Sequence, residues 1–121
     1  MKTLKIGIAG YDQMKARTMA IARGEHEPLK GEPKVWFTSV ESLAKVLSQR
    51  NRELLSLIAR EQPASLTELA ELSGRQKSNL SRTLKTMSQY GFVELKQGRR
   101  GALKPRVPYD QVSLDISLRV G

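Results

Sequence analysis

The sequence predicts an α+β fold, because two hydrophobic periodicities alternate along its 121 residues. Near both ends of the chain, apolar residues occupy every second position, which is typical of half-buried strands. Between the ends, several segments carry apolar residues three and four positions apart, which is typical of amphipathic helices. The chain is long enough for one domain with a hydrophobic core. Only 5% of its residues are aromatic, so this core is expected to be aliphatic.

Residues 1–34 are predicted to form a strand-helix unit and a linker, which would serve in dimerisation or in binding a partner. Leucine and isoleucine alternate with polar or small residues and predict a strand over 2–9. Good helix formers predict a helix over 11–23, which a glycine ends. A polar stretch with two prolines, 25–34, forms the linker. It contains the only histidine, His26, which is interpreted as a solvated loop residue.

Residues 35–109 are predicted to form the main domain, which opens with an extended segment and two helices. Thr38 and Glu41 form a capping box, so the first helix is expected to begin at Ser39. A second helix restarts near Asn51 and ends ahead of a proline, because the residue before a proline disfavours helical geometry. The residues expected on the core faces of these two helices are Val40, Leu43, Ala44, Leu47, Leu54, Leu55, Ile58 and Ala59.

The second half of this domain is predicted to contain two more helices and a hairpin. Ser65 and Glu68 form another capping box, which opens the first of these helices. The inner face of the next helix is expected to be Leu80, Leu84 and Met87. Two prolines in the last strand indicate a sheet edge. The predicted elements are helices over 66–73 and 76–90, and strands over 92–96 and 103–109 that flank a turn at 98–101.

Residues 110–121 are predicted to form a C-terminal strand. Val112, Leu114, Ile116 and Leu118 alternate with polar residues, which predicts a second half-buried strand. Each terminal strand would be only marginally stable alone. The two strands therefore either pair with each other or pair with a second subunit.

Three residues at fixed spacing predict a helix-turn-helix within the main domain. Ala70 lets the second helix approach the first, Gly74 permits a left-handed turn, and Leu80 locks the pair. A capping box precedes this triad, and a glycine-arginine-arginine-glycine turn follows the second helix. The combination predicts a DNA-binding helix followed by a wing.

The positive charge of the chain is concentrated on this helix and wing. The segment 75–106 carries nine cations and one anion, and hence a net +8 of the formal +9. A basic footprint on a structured, amphipathic segment indicates a polyanion as partner, with duplex DNA as the first candidate.

The candidate DNA contacts lie on the outer face of helix 76–90 and at the wing. The residues expected nearest the base edges are Gln76, Lys77, Ser78, Asn79 and Arg82, since amides can pair with adenine and arginine with guanine. The residues expected closer to phosphates are Thr83, Lys85 and Thr86. The residues expected to contact the backbone or minor groove from the wing are Arg99, Arg100 and Lys104.

The segments 65–70, 78–85 and 90–93 resemble winged helix-turn-helix regulators of the MarR and ArsR type, over roughly residues 38–109. This resemblance implies a dimeric DNA-binding transcription factor, usually a repressor, with the wing at 92–109. The chain is expected to be too short for the long dimerisation helices of typical MarR proteins, and it lacks the cysteine and histidine ligands of metal-sensing ArsR proteins. It is also similar to antitoxins of toxin-antitoxin operons. The alternative to a simple autorepressor is therefore an antitoxin that binds a toxin through its N-terminal unit.

Composition and motifs argue against other function classes. The chain has no cysteine, which excludes disulfides, thiol redox chemistry and thiolate zinc sites. No catalytic constellation is present, so we expect a non-enzymatic protein without metal or cofactor. The glycines at 7 and 10 resemble part of a dinucleotide-binding loop, but a third glycine and a βαβ unit are not expected. The absence of a long apolar run or a signal peptide predicts a cytoplasmic, membrane-free location.

Overall fold

The computed structural model describes residues 2–24 and 32–118, and it has the predicted α+β composition. The side chains of Tyr11, Arg17 and Arg99 lie outside the described part, as do His26 and most of the predicted linker. In chain order the elements are β1 (Thr3–Ile8), α1 (Tyr11–Ala22), β2 (Val35–Phe37), α2 (Val40–Val46), α3 (Gln49–Glu61), α4 (Leu66–Ser73), α5 (Lys77–Gln89), β3 (Glu94–Gln97), a 3₁₀ turn (Arg99–Gly101), β4 (Leu103–Arg106) and β5 (Gln111–Ile116).

The chain divides into two compact units. One unit contains Met1–Lys45 together with Gln111–Gly121, and the other contains Val46–Asp110. The division differs from the predicted boundaries at 34 and 109, because β2 and most of α2 belong with the two terminal strands. The reason is strand pairing: β2 is hydrogen-bonded to β1, which joins segments distant in the sequence.

The first unit is built on a parallel sheet with the order β2-β1-β5. The two terminal strands pair with each other, so the first of the two predicted alternatives is confirmed. Ile6 of β1 lies between Val35 of β2 and Leu114 of β5 in the register. Leu4 and Ile6 are buried. β1, α1 and β2 also form a βαβ unit, so the expectation that no such unit follows the N-terminal strand is wrong.

Packing and capping explain why this βαβ unit has glycines at positions 7 and 10. A Cβ atom at Gly7 would clash with the ring of Trp36, which lies directly against the strand. The backbone N–H of Gly10 donates a hydrogen bond to Oε1 of Gln13 (3.1 Å), which caps the N-terminus of α1 from within the chain. Close packing and capping therefore account for residues that weakly resembled a dinucleotide-binding loop.

The prediction that the C-terminal strand buries its apolar face is wrong, because the apolar side chains of β5 are exposed. Val112, Leu114 and Ile116 are 38%, 43% and 41% exposed, whereas their neighbours in register on β1, Leu4 and Ile6, are 2% and 0% exposed. The physical reason is position: among the described strands β5 pairs on one side only, so it is an edge strand. Alternation revealed the strand but not its place in the sheet.

α2 begins one residue later than predicted. Ser39, rather than Thr38, caps the helix, since its Oγ accepts a hydrogen bond from the N–H of Ser42 (3.0 Å). The predicted core face is also incorrect in part, because Leu43 is buried whereas Val40 and Ala44 are exposed. α2 is only seven residues long. Such a short helix can bury few side chains.

The second unit contains α3, α4, α5 and the β3–β4 hairpin. α3 begins two residues before the predicted Asn51, because Ser48 caps it through a hydrogen bond from the Asn51 N–H (3.2 Å). It ends at Glu61, and its C-cap, Gln62, adopts a left-handed conformation ahead of the buried Pro63. Of its predicted core residues, Leu54 and Ile58 are buried, Leu55 is half-buried and Ala59 is exposed. The remaining core residues are Leu66, Leu69, Leu80, Leu84, Met87, Phe92, Val93 and Pro105.

The antiparallel hairpin is shorter than predicted at its open end, away from the turn. β3 begins at Glu94, after the buried Phe92 and Val93, and β4 ends at Arg106, before Pro108. Pro105 lies inside β4, opposite Leu95 in the register. The described sheet has only these two strands. Both strands are thus edges, which explains why a proline is tolerated.

Candidate nucleic-acid interface

The turn between α4 and α5 sets the position of the basic helix. Gly74 has φ 72° and donates its N–H to the carbonyl of Ala70 (2.9 Å). A left-handed backbone at this position favours glycine, as the sequence predicted. Leu69 and Leu80 are both fully buried where the helices pack. The turn and this packing fix which face of α5 points away from the core.

The start of α4 is held by a modified capping box. Ser65 Oγ accepts a hydrogen bond from the Glu68 N–H (3.1 Å), as predicted. The Glu68 carboxylate, however, accepts from the N–H of Ala64 (3.2 Å) rather than from that of Ser65. The Ser65 hydroxyl can still donate a hydrogen bond outward.

α5 presents a polar face with positive charge only. Its first turn contains no acidic residue, and its N-cap, Gln76, makes no side-chain capping bond. The Gln76 amide is therefore not used by the cap. The predicted contact residues that lie exposed on this face are Gln76, Lys77, Ser78, Arg82, Lys85 and Thr86. The Thr86 hydroxyl donates to the carbonyl of Arg82 (3.1 Å), so this hydroxyl is partly satisfied within the helix.

Two predicted contact residues are engaged by a third residue that sequence reasoning did not include in the site. Nε and Nη2 of Arg75 donate to Oδ1 of Asn79 at 3.1 and 2.7 Å. Nη2 also donates to Oγ1 of Thr83 at 3.4 Å. Asn79 and Thr83 are correspondingly half-buried. Asn79 and Thr83 follow Arg75 by four and eight residues, a spacing that places side chains on one side of a helix. This spacing was the only indication of the contact in the sequence.

Arg75 is a cation without an acidic partner among the residues that the structure describes. Burial lowers the pKa of its guanidinium, and the positive charge of Arg50 on α3 lowers that pKa further. Its Nη1 is buried and has no hydrogen-bond partner in the described part of the chain. Because arginine stays charged under ordinary conditions, Arg75 adds an uncompensated positive charge beside the start of α5.

The hairpin tip is a tight turn with a left-handed arginine. Arg100 has φ 58° and Gly101 has φ 73°. The side chain of Arg100 is exposed, whereas that of Arg99 is outside the described part. A left-handed residue other than glycine is strained by about 1–2 kcal/mol. The left-handed conformation of Arg100 therefore lowers the stability of the hairpin turn.

The strands below the tip bring two lysines together. Lys104, a predicted contact residue, lies directly opposite Lys96 in the antiparallel register, and both are exposed. Opposed like charges on neighbouring strands destabilise a hairpin. A bound polyanion would relieve this repulsion.

A groove of about 480 Å³ runs between the starts of α4 and α5 and the hairpin tip. Its lining residues are Ser65, Leu66, Thr67, Lys77, Ser78, Ser81, Gly101, Ala102 and Leu103. Four of them offer hydroxyl groups and one offers an ammonium group, which are suitable donors to a phosphate oxygen. Sequence reasoning missed Ser65, Thr67 and Ser81, because capping and helix formation already explained them.

No group of three or more histidine, cysteine, aspartate or glutamate side chains comes together within residues 2–24 and 32–118. Over the same residues, no helix has the length and apolar character needed to span a membrane.

Comparison with protein families gives one result. A family profile described as HVO_A0114 matches residues 46–114, which is more than half of the chain. The chain belongs to the HVO_A0114 family. The HVO_A0114 region contains the whole second unit and the first four residues of β5. No curated protein and no solved structure matches the chain.

The HVO_A0114 match includes every residue of the candidate interface. The groove, α5 and the hairpin all lie within 46–114, whereas β1, α1 and β2 lie outside it. The family description states no activity.

Proposed function

We propose that the protein is a sequence-specific double-stranded DNA-binding transcriptional regulator that represses its own operon as a homodimer. In this proposal, residues 46–110 act as a winged helix-turn-helix domain of the MarR/ArsR-like type. α5 enters the major groove, and the β3–β4 hairpin is the wing that contacts the backbone or the minor groove. The observation that carries the proposal is the exposed face of α5, where every charged side chain is a cation.

The dimensions and chemistry of α5 suit the major groove. That groove admits an α-helix, and the base edges within it are distinguished by hydrogen bonds. The N-terminal end of a recognition helix normally approaches the bases. Gln76, Lys77 and Ser78 lie at this end and Arg82 lies one turn further along, all with exposed side chains. These four residues are the proposed base readers.

The hydroxyl-lined groove suits the DNA backbone. Ser65, Thr67 and Ser81 supply hydroxyl donors there. Contacts of this kind fix the position of a protein on the duplex and carry no sequence information themselves. Arg100 and Lys104 on the wing would add charge contacts to a neighbouring stretch of backbone or to a narrow minor groove.

Sequencing the genomic DNA fragments retained by the purified protein tests this function. We expect a small set of fragments that share one motif and include the promoter of its own gene. A variant with Lys77→Ala and Arg82→Ala should retain none of them. The control Lys15→Ala removes an exposed lysine from α1, outside the interface, and should retain the same set. Retention of random fragments would contradict specific reading, and retention of none would contradict DNA binding.

The proposed homodimer uses the outer edge of β5. Antiparallel pairing of two β5 strands about Leu114 sets Leu114 against the partner's Leu114 and Val112 against the partner's Ile116. The half-exposed apolar side chains then form one continuous row on one face. On the opposite face, Asp115 meets the partner's Ser113, so no like charges are opposed. Because this register is self-complementary, the outer edge of β5 fits a second copy of the same chain.

Sedimentation of two matched variants tests the dimer. In the dimer, Leu114→Asp would place two negative charges directly opposite each other, so this variant should be a monomer. It should still fold, because Leu114 is not part of the buried core. Ser113→Lys should preserve the dimer, since the new lysine faces the partner's Asp115. A monomeric wild-type protein at micromolar concentration, or a dimeric Leu114→Asp variant, would exclude this interface.

The second candidate function is that of an antitoxin, and the same exposed row favours it. A toxin could cover the row formed by Val112, Leu114 and Ile116 in place of a second copy. Co-expression with the product of the neighbouring gene tests this alternative. A stable complex that Leu114→Asp disrupts would support it, and separate elution of the two proteins would exclude it.

A further inference from the structure

A small cavity lies in the first unit, at the carboxyl end of the parallel sheet. Ile8, Phe37 and Ile116 are aligned in the register at this end, so β1, β2 and β5 finish at the same edge. The cavity has a volume of about 270 Å³. It is lined by the end of β1, by residues of α1, by Trp36 of β2 and by Ser117, which follows β5. All of these residues belong to the first unit.

The strand order makes this end of the sheet a place where a ligand is expected. β2, the strand that follows β1 in the chain, lies on one side of β1, and β5 lies on the other side. The strand order therefore reverses beside β1. In open sheets of parallel strands, ligands bind outside the carboxyl ends of the strands at such a reversal. The cavity lies at this position.

The lining of the cavity offers an aromatic ring, a donor and an acceptor. The ring of Trp36 lies against Gly7 and also lines the cavity. The Gly10 N–H donates to Oε1 of Gln13 (3.1 Å), which orients the Gln13 amide, and the NH₂ group of this amide can donate to a ligand. The hydroxyl group of Thr18 donates its proton to the carbonyl of Met14 (2.9 Å), so its oxygen can accept from a ligand.

The same lining argues against charged and large ligands. Among the residues that the structure describes, no charged side chain lines the cavity, so a buried carboxylate or ammonium group would lack a counter-ion there. The Gly10 N–H at the start of α1 already donates to Gln13, so it is not available to a phosphate group. Sites for drug-sized ligands have volumes of roughly 300–1,000 Å³, and this cavity is smaller. The ligand that fits is therefore small and uncharged.

We propose that this cavity binds a small, uncharged aromatic molecule whose polar edge carries both an acceptor and a donor, as in an aromatic carboxamide or a nucleobase. The ring packs against Trp36, the acceptor of the ligand faces the Gln13 amide, and its donor faces the Thr18 hydroxyl oxygen. Every residue of this site lies outside the family match at 46–114. The proposal does not depend on DNA binding, because the site and its test involve the first unit alone.

Nitrogen-15 NMR spectra of the full chain test binding directly. Trp36 is the only tryptophan, so one indole N–H signal reports on the cavity. The neutral probes are benzamide, nicotinamide and adenine, and benzoate is the charged match for benzamide. We expect at least one neutral probe to shift the Trp36 signal saturably and benzoate to leave it unchanged. The proposal is overturned if no neutral probe shifts the signal at low-millimolar concentration, or if benzoate binds as tightly as the best neutral probe.

Two matched threonine variants test whether the probe occupies this cavity. Thr18→Val removes the hydroxyl group with little change in shape and should raise the Kd of the neutral probe roughly three- to tenfold, since one hydrogen bond is lost. Thr86→Val is the control. Thr86 is also exposed and also donates to the carbonyl four residues earlier, but it lies on α5 and does not line the cavity. Thr86→Val should leave the Kd unchanged. Equal values of Kd for the two variants would overturn the proposal.

Discussion

Gly74→Ala measures how far the left-handed turn before α5 depends on glycine. At φ 72°, an L-residue is strained by about 1–2 kcal/mol. Alanine also restricts the unfolded chain, which offsets about 0.4–1 kcal/mol of this strain. A Cβ atom added at Gly74 meets no other atom within 4 Å, so no steric cost is added. The free energy of unfolding should therefore fall by about 1 kcal/mol.

Urea unfolding followed by circular dichroism measures this difference in the free energy of unfolding. In thermal unfolding of a unit of this size, the same difference of about 1 kcal/mol lowers the melting temperature by roughly 4–8 °C. Gly74→Asn is the matched control, because asparagine tolerates the left-handed region better than alanine does, and it should be destabilised less. If Gly74→Ala is as stable as the wild-type protein, the turn does not require a left-handed residue, and the inferred basis for the position of α5 is wrong.

Substitutions in β1, α5 and the hairpin give three further predictions. Gly7→Ala should destabilise the parallel sheet, because its methyl group meets a tryptophan ring, and thermal unfolding would show no change if that ring can move aside. Arg82→Ala should cost about 1–3 kcal/mol on the operator and relax selectivity, whereas Lys85→Ala should weaken all duplexes alike; equal effects in binding titrations would refute base reading by the arginine. Arg100→Ala with Lys104→Ala should lower the affinity for duplex DNA without changing the melting temperature. An unchanged affinity would show that the hairpin does not contact DNA.

The helices of the second unit were predictable because their signals are local. The cap at Ser65 and the turn at Gly74 depend on neighbouring residues only, and both are found where the sequence indicated. Leu80, Leu84 and Met87 share a helical face, which the core then covers. The error at the start of α2 arose because two adjacent residues, Thr38 and Ser39, could both cap the helix.

The first unit was less predictable because its structure depends on distant pairings. Alternation identified β1 and β5, but neither strand indicates that β2 lies beside β1 or that β5 stays at the edge. For the candidate interface, composition indicated which residues are basic. The contact between Arg75 and Asn79 depends on side-chain orientation across helical turns, which a list of residue types does not determine.

The salt dependence of duplex binding tests the central claim most directly. If a dimer neutralises about six to ten phosphates, the logarithm of the association constant should fall against the logarithm of salt concentration with a slope of roughly −5 to −9. Removing one phosphate-contacting cation from each subunit, as in Lys85→Ala, should reduce the steepness by about two. Fluorescence anisotropy of a labelled duplex over a range of salt concentrations provides the measurement. A steep slope that Lys85→Ala reduces is the predicted result, whereas salt-independent affinity, or no duplex binding at low salt, would contradict the assignment of DNA as the partner.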